Sequence, residues 1–106
     1  MIVIKYRFGT MTDIVAGITE RENVAFTITS ATVKITEDGS NTVLRNNVTA
    51  SFDTDQVFFH EDFTTANGYK ENTCYTATFK VNITRGVVTF REKAIVQFQL
   101  TEVADE

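Results

Sequence analysis

A chain of 106 residues with 42% hydrophobic and 23% charged side chains is one domain's worth of sequence, and it is too apolar to stay disordered. Its net charge of −4, with no run of Lys or Arg, excludes nucleic-acid binding through a contiguous basic segment and leaves only a patch assembled in three dimensions. Twelve Val, eight Ile, nine Phe and eighteen Thr against two Leu exclude a helical class, because β-branched and aromatic side chains suit a pleated surface and lose χ1 freedom in a helix.

Ile2, Ile4, Tyr6 and Phe8 alternate with polar or smaller residues, which predicts a first strand over 2–8 that Gly9 ends. Asp13 to Thr19 reads as a second strand, with Gly17 a bulge or a close approach. Residues 20–23 form a polar turn. Val24, Phe26 and Ile28 then alternate, but the apolar parity slips to Ala31, Val33 and Ile35. A one-residue slip moves every later side chain to the other face, so Thr29-Ser30 is a bulge, a bend or a change of sheet.

Asp38-Gly39 between alternating segments predicts a hairpin, returning as a strand over 42–45. Asn46-Asn47 reads as another turn. Val48, Ala50 and Phe52 alternate, Asp53-Thr54-Asp55 breaks the pattern, and residues 56–59 form a short buried strand. Residues 61–72 read as a loop with room for one helical turn. At twelve residues it is the segment most suited to be mobile or to face a partner.

The strongest pattern is the last. Tyr75, Ala77, Phe79, Val81 and Ile83 face one way, and Arg85-Gly86 turns the chain. Val88, Phe90, Ala94, Val96, Phe98 and Leu100 then hold one face, which Glu92 alone violates. Glu92 either sits at a bulge beyond the core's edge or points inward, where it would need a partner such as Arg45 or the neighbours of Lys93. Residues 102–106 are a short acidic tail. Seven or eight strands with turns between them, and no βαβ alternation, predict an all-β, antiparallel β-sandwich in a single domain spanning residues 1–106.

Candidate chemistry is sparse. Asp53, Asp55, His60, Glu61 and Asp62 crowd together, and hard cations such as Ca²⁺ want several carboxylate oxygens. The spacing matches no EF-hand loop, so no metal ligand is assigned and Asp53, Asp55, Glu61 and Asp62 stand only as the Ca²⁺ candidates to inspect. His60 beside Phe58-Phe59 reads as a packed or surface residue rather than a general base. Tyr69, Tyr75 and outward Phe side chains could form a sugar platform, against the plainer reading of an aromatic core. Cys74 excludes an internal disulfide and reads as a small buried hydrophobe. The sequons at Asn47 and Asn82 read as accidents of a Thr-rich chain. No catalytic residue, cofactor, transmembrane run or export signal is legible, which predicts a non-enzymatic protein made in a cytoplasm.

Two stretches carry a resemblance. Residues 28–35 (ITSATVKI) are similar to an early strand of small Ig-like domains in phage proteins. Gly68-Tyr69, residues 74–81 (CYTATFKV) and the return at Gly86 resemble the last two strands of the same domains, with Tyr75 at the tyrosine-corner position. The similarity of pattern spans residues 24–100. The strand at 2–8 is extra, and the polar loop before Ala31-Thr32-Val33 is nearly missing. The resemblance implies an accessory module of a phage or prophage head, tail or baseplate that acts through its surface on a protein partner or a second copy. It assigns no functional residue, nucleic acid or membrane. A carbohydrate- or Ca²⁺-binding module and a small inhibitor of a host protein are the alternatives.

Overall fold

A computed structural model of the chain describes residues 3–18 and 26–101. Among them are β1 (Ile4–Arg7), β2 (Met11–Gly17), β3 (Thr27–Glu37), β4 (Val43–Thr49), β5 (Ser51–Phe52), β6 (Gln56–Asp62), β7 (Thr73–Arg85) and β8 (Val88–Thr101). One 3-10 turn, Thr65–Asn67, interrupts the β6–β7 connection. The polar turn at 20–23 and the acidic tail at 102–106 lie outside the described residues.

The fold is all-β, with two sheets packed together in a sandwich-like arrangement. The larger sheet runs β1-β8-β7-β3-β4 and the smaller β2-β6-β5. Their inner faces share one core that includes Ile14 and Val57 from the smaller sheet and Val33, Phe79 and Phe98 from the larger. The described pairings are antiparallel with one exception. β1 runs parallel to β8, with Ile4 opposite Phe98 and Arg7 opposite Thr101, so the larger sheet is mixed and not purely antiparallel as expected. Gly9, at φ +85°, then reverses the chain between sheets: Phe8 N–H still donates to Thr101 in the larger sheet, and Gly9 N–H donates to Phe63, the residue just after β6 of the smaller one.

The parity slip in β3 is a bulge. Register shifts between Ile28 and Ser30 opposite β7, so Ile28 and Ala31 both point into the core from one continuous strand. The turn expected at Asn46-Asn47 is also a bulge. Asn47 takes φ +55° inside β4, where three steps of β4 oppose two of β3. Asn tolerates that left-handed backbone better than most residues. Beyond it, Ala50 N–H donates to Ala31 and the chain passes into the smaller sheet as β5.

The β7–β8 hairpin forms as read, closing through Gly86 (φ +62°) and Val87 with Arg85 opposite Val88. Its strands, 13 and 14 residues, outrun the seven-residue strands of the smaller sheet. That mismatch explains Glu92. Its pairing with Val81 is in register and involves no bulge. It keeps inner-face parity but lies where no second-sheet strand among the described residues covers it, and there it is exposed. Cys74 is exposed rather than buried, because it precedes Tyr75 on the opposite, outer face.

Candidate functional site

The proposed acidic cluster is divided by its own strand. Asp53 and Asp55 sit in the β5–β6 turn at the start of β6, while Glu61 and Asp62 lie at its end, about 20 Å away at strand rise. Asp53 accepts the Thr54 N–H at 2.7 Å within the turn, and the Asp55 backbone carbonyl accepts the Ile18 N–H at 2.7 Å, which continues the β2–β6 ladder by one step. Among the described residues no three His, Cys, Asp or Glu side chains are gathered as a metal would need.

Glu61 is the functional-looking residue whose setting the sequence did not reveal. Its side chain is only 3% exposed and is saturated by hydrogen bonds. Arg45 reaches it with both arms, Nε to Oε2 at 2.8 Å and Nη2 to Oε1 at 2.9 Å. Tyr69 hydroxyl donates to Oε2 at 2.8 Å, and Asp62 N–H donates to Oε1 at 3.1 Å. Burial, together with the adjacent carboxylate, holds the Tyr69 hydroxyl far above the usual tyrosine range. A carboxylate so occupied has no lone pair left to bind a cation or move a proton; it ties β4, β6 and the β6–β7 connection together. That connection is not a free loop. Phe63 and Tyr69 are buried, with their rings edge-on at 5.1 Å, and Tyr75 and Phe98 extend the same aromatic cluster. With 1% and 0% exposure, Tyr69 and Tyr75 cannot stack on a sugar.

His60 is exposed on the outer face of the smaller sheet, with Nδ1 2.7 Å from Asp13 Oδ1 directly across the β2–β6 pair. No helix among the described residues is long and apolar enough to cross a membrane.

Two surface features remain. β1 pairs only with the last four residues of β8, so among the described residues β8 from Val88 toward Val96 has a free edge. Leu100 carbonyl accepts from Asn72 on the β7 side, and Thr101 carbonyl accepts from Phe8 on the β1 side. By alternation, Thr89, Arg91, Lys93 and Ile95 therefore turn their backbone N–H and C=O outward along the free edge. Beside it runs a groove of about 720 Å³ lined by Gly17, Ile18, Phe26, Phe90, Ala94 and Val96 among others. Residues 19–25, which join Ile18 to Phe26 in sequence, lie outside the described residues. The second feature is charge. Lys5, Arg7, Lys34, Lys80, Arg91 and Lys93 fall by register on the outer face of the larger sheet.

Comparison with family models, with curated proteins and with solved structures finds no match to this chain.

Proposed function

We propose that this chain is a non-enzymatic structural and interaction module, an Ig-like domain of a phage or prophage particle that holds a partner protein by adding a strand to the free edge of β8. The observation that carries the proposal is that edge: among the described residues, four successive outward sets of backbone groups without a strand partner, beside a groove lined by both apolar side chains (Ile18, Phe26, Phe90) and charged ones (Arg85, Glu92, Lys93), with no Pro in the chain to blunt it.

The Ig-like reading rests on strand order. Named β2 to β8 as B, C, C′, D, E, F and G, the chain has G-F-C-C′ in one sheet and B-E-D in the other. Tyr75, at the start of F, accepts the Lys70 N–H on its hydroxyl at 2.9 Å, the upstream backbone contact of a tyrosine corner. The antibody-type Cys–Trp–Cys core is lacking, since the chain has one Cys and no Trp. The phage assignment rests on the resemblance of residues 28–35 and 68–86.

Charge favours a foreign strand over a second copy on this edge. Any two-fold antiparallel pairing of β8 with itself, centred anywhere from Phe90 to Ala94, sets Arg91 or Lys93 opposite or diagonal to a cation of the copy, and like charges so placed destabilise a sheet. Mass spectrometry of purified particles from cells that express the protein tests the setting. The chain is expected among the particle proteins; its consistent absence would contradict the proposal.

A further inference from the structure

The outer face of the larger sheet is cationic in a chain whose net charge is −4. Six of the ten Lys and Arg residues lie on it: Lys5, Arg7, Lys34, Lys80, Arg91 and Lys93. Four of these form an oblique row. Arg91 and Lys93 are successive outward residues of β8, Lys93 lies directly opposite Lys80 on β7, and Lys34 on β3 stands opposite Thr78, the next outward residue of β7. From strand spacing and rise, neighbours in the row are about 5 to 8 Å apart. The described carboxylates lie elsewhere: in the interior, on the smaller sheet, in turns, or on the inward parity of β8. Asp38 alone reaches the rim of this face, in the β3–β4 turn, where it accepts from Thr76. The ion pairs found among the described residues join Arg45 to Glu61, His60 to Asp13 and Lys70 to Glu37; none involves the row.

Two lysines directly opposite across an antiparallel pair repel one another. Fold stability gives no reason to keep them so, nor to exclude a carboxylate from the positions around them. The rest of the face is hydroxyl and amide: Thr32, Thr78, Thr84, Thr89, Asn82 and Gln97. A protein interface wants an apolar, aromatic core and is depleted in Lys. Here Ile95 and Val43, at opposite ends of the row, are the large apolar side chains near it, and among the described residues no ring lies on the face to stack an unpaired base. Lys and Arg interspersed with Thr, Asn and Gln are what phosphodiester oxygens take.

We infer that this face binds the backbone of double-stranded nucleic acid, without reading its sequence, through Lys34, Lys80, Arg91 and Lys93. The inference stands on side chains of the outer face and does not need the strand-addition reading, although Arg91 and Lys93 also border the β8 edge through their backbone groups. The row of four neutralises about four phosphates, so the affinity falls with salt on a log–log slope near −3.6, roughly a hundredfold between 50 and 200 mM.

Fluorescence anisotropy of a labelled 30-base-pair DNA duplex against the full chain, across a salt series, tests this. Wild type is expected to bind at low salt with that slope. Lys80→Glu is expected to lower affinity at least tenfold and to flatten the slope, while raising the melting temperature, because it converts a repulsive cross-strand pair into an attractive one. A variant that gains stability and loses binding cannot have lost binding by unfolding. Lys70→Gln, which removes a cation paired with Glu37 off this face, is expected to bind as wild type. No duplex binding at 20 mM salt, equal losses in Lys80→Glu and Lys70→Gln, binding to heparin without binding to duplex, or salt-sensitive self-association in place of duplex binding would each overturn the inference.

Discussion

At the scale of single residues, the Arg45–Glu61–Tyr69 cluster decides whether the two sheets and their connection cohere. Removing one partner of a buried ion pair strands the other charge, so Arg45→Met is expected to destabilise the fold by about 3 kcal/mol, at the low end because Arg45 is partly exposed. Tyr69→Phe removes one of four hydrogen bonds to the carboxylate and is expected to lose about 1–2 kcal/mol. Chemical denaturation of the two variants checks the order. Burial also raises the hydroxyls of Tyr6, Tyr69 and Tyr75 above the ordinary tyrosine value of 10.0. The native state therefore keeps protons that the unfolded state gives up above that value. For these groups stability is full below pH 10 and falls as pH rises past it. Denaturation midpoints at pH 8 and pH 11, with tyrosinate absorbance, are expected to show that loss and no titration of the native chain near 10.

Glu61 was partly legible in the sequence. Val57, Phe59, Glu61 and Phe63 share one parity, which places the carboxylate inward; its company of charged neighbours argued the other way. Its partner was not legible, because the two register shifts in β4 scramble the alternation that would have put Arg45 opposite Ile35 on the inner face. Cys74 shows the reverse error. Parity from Tyr75 and Ala77 places it outward, and the habit of free Cys to be buried overrode a pattern that was correct.

At the scale of elements, the hairpin was the most readable part, since thirteen β7–β8 pairs run without a register shift. Its one anomaly, Glu92, needed the other sheet to explain it: strand pattern gives a face but not how far the facing sheet extends. The same strand should thus respond unequally along one face. Phe98→Ala, in the aromatic core, is expected to cost about 3–5 kcal/mol, whereas Glu92→Ala is expected to stay within about 0.5 kcal/mol of wild type. Thermal unfolding of the pair measures the contrast. The cationic row was illegible for the same kind of reason. Lys34, Lys80 and Lys93 are far apart in sequence, and only the registers of β3, β7 and β8 bring them onto one face.

At the scale of the whole molecule, extents of 52 × 26 × 22 Å and a radius of gyration of 15.0 Å, against roughly 13 Å for a compact chain of this length, describe a sandwich from which the hairpin projects. Val87, fully exposed, is at its tip. The projection leaves β8 with a free edge and the larger sheet with a wide cationic face, so one molecule offers a strand edge and a flat charged surface to different partners. The edge is the central claim, and photo-crosslinking in assembled particles tests it most directly. A benzoyl-phenylalanine replaces Thr89 on the free edge of β8 or, as a control, Thr49 on β4 at the opposite edge of the same sheet. The account predicts an adduct from position 89 that joins this chain to a strand of another particle protein, and none from position 49. Recovery of the 11.9 kDa chain alone from position 89, or of adducts only to itself, would contradict it.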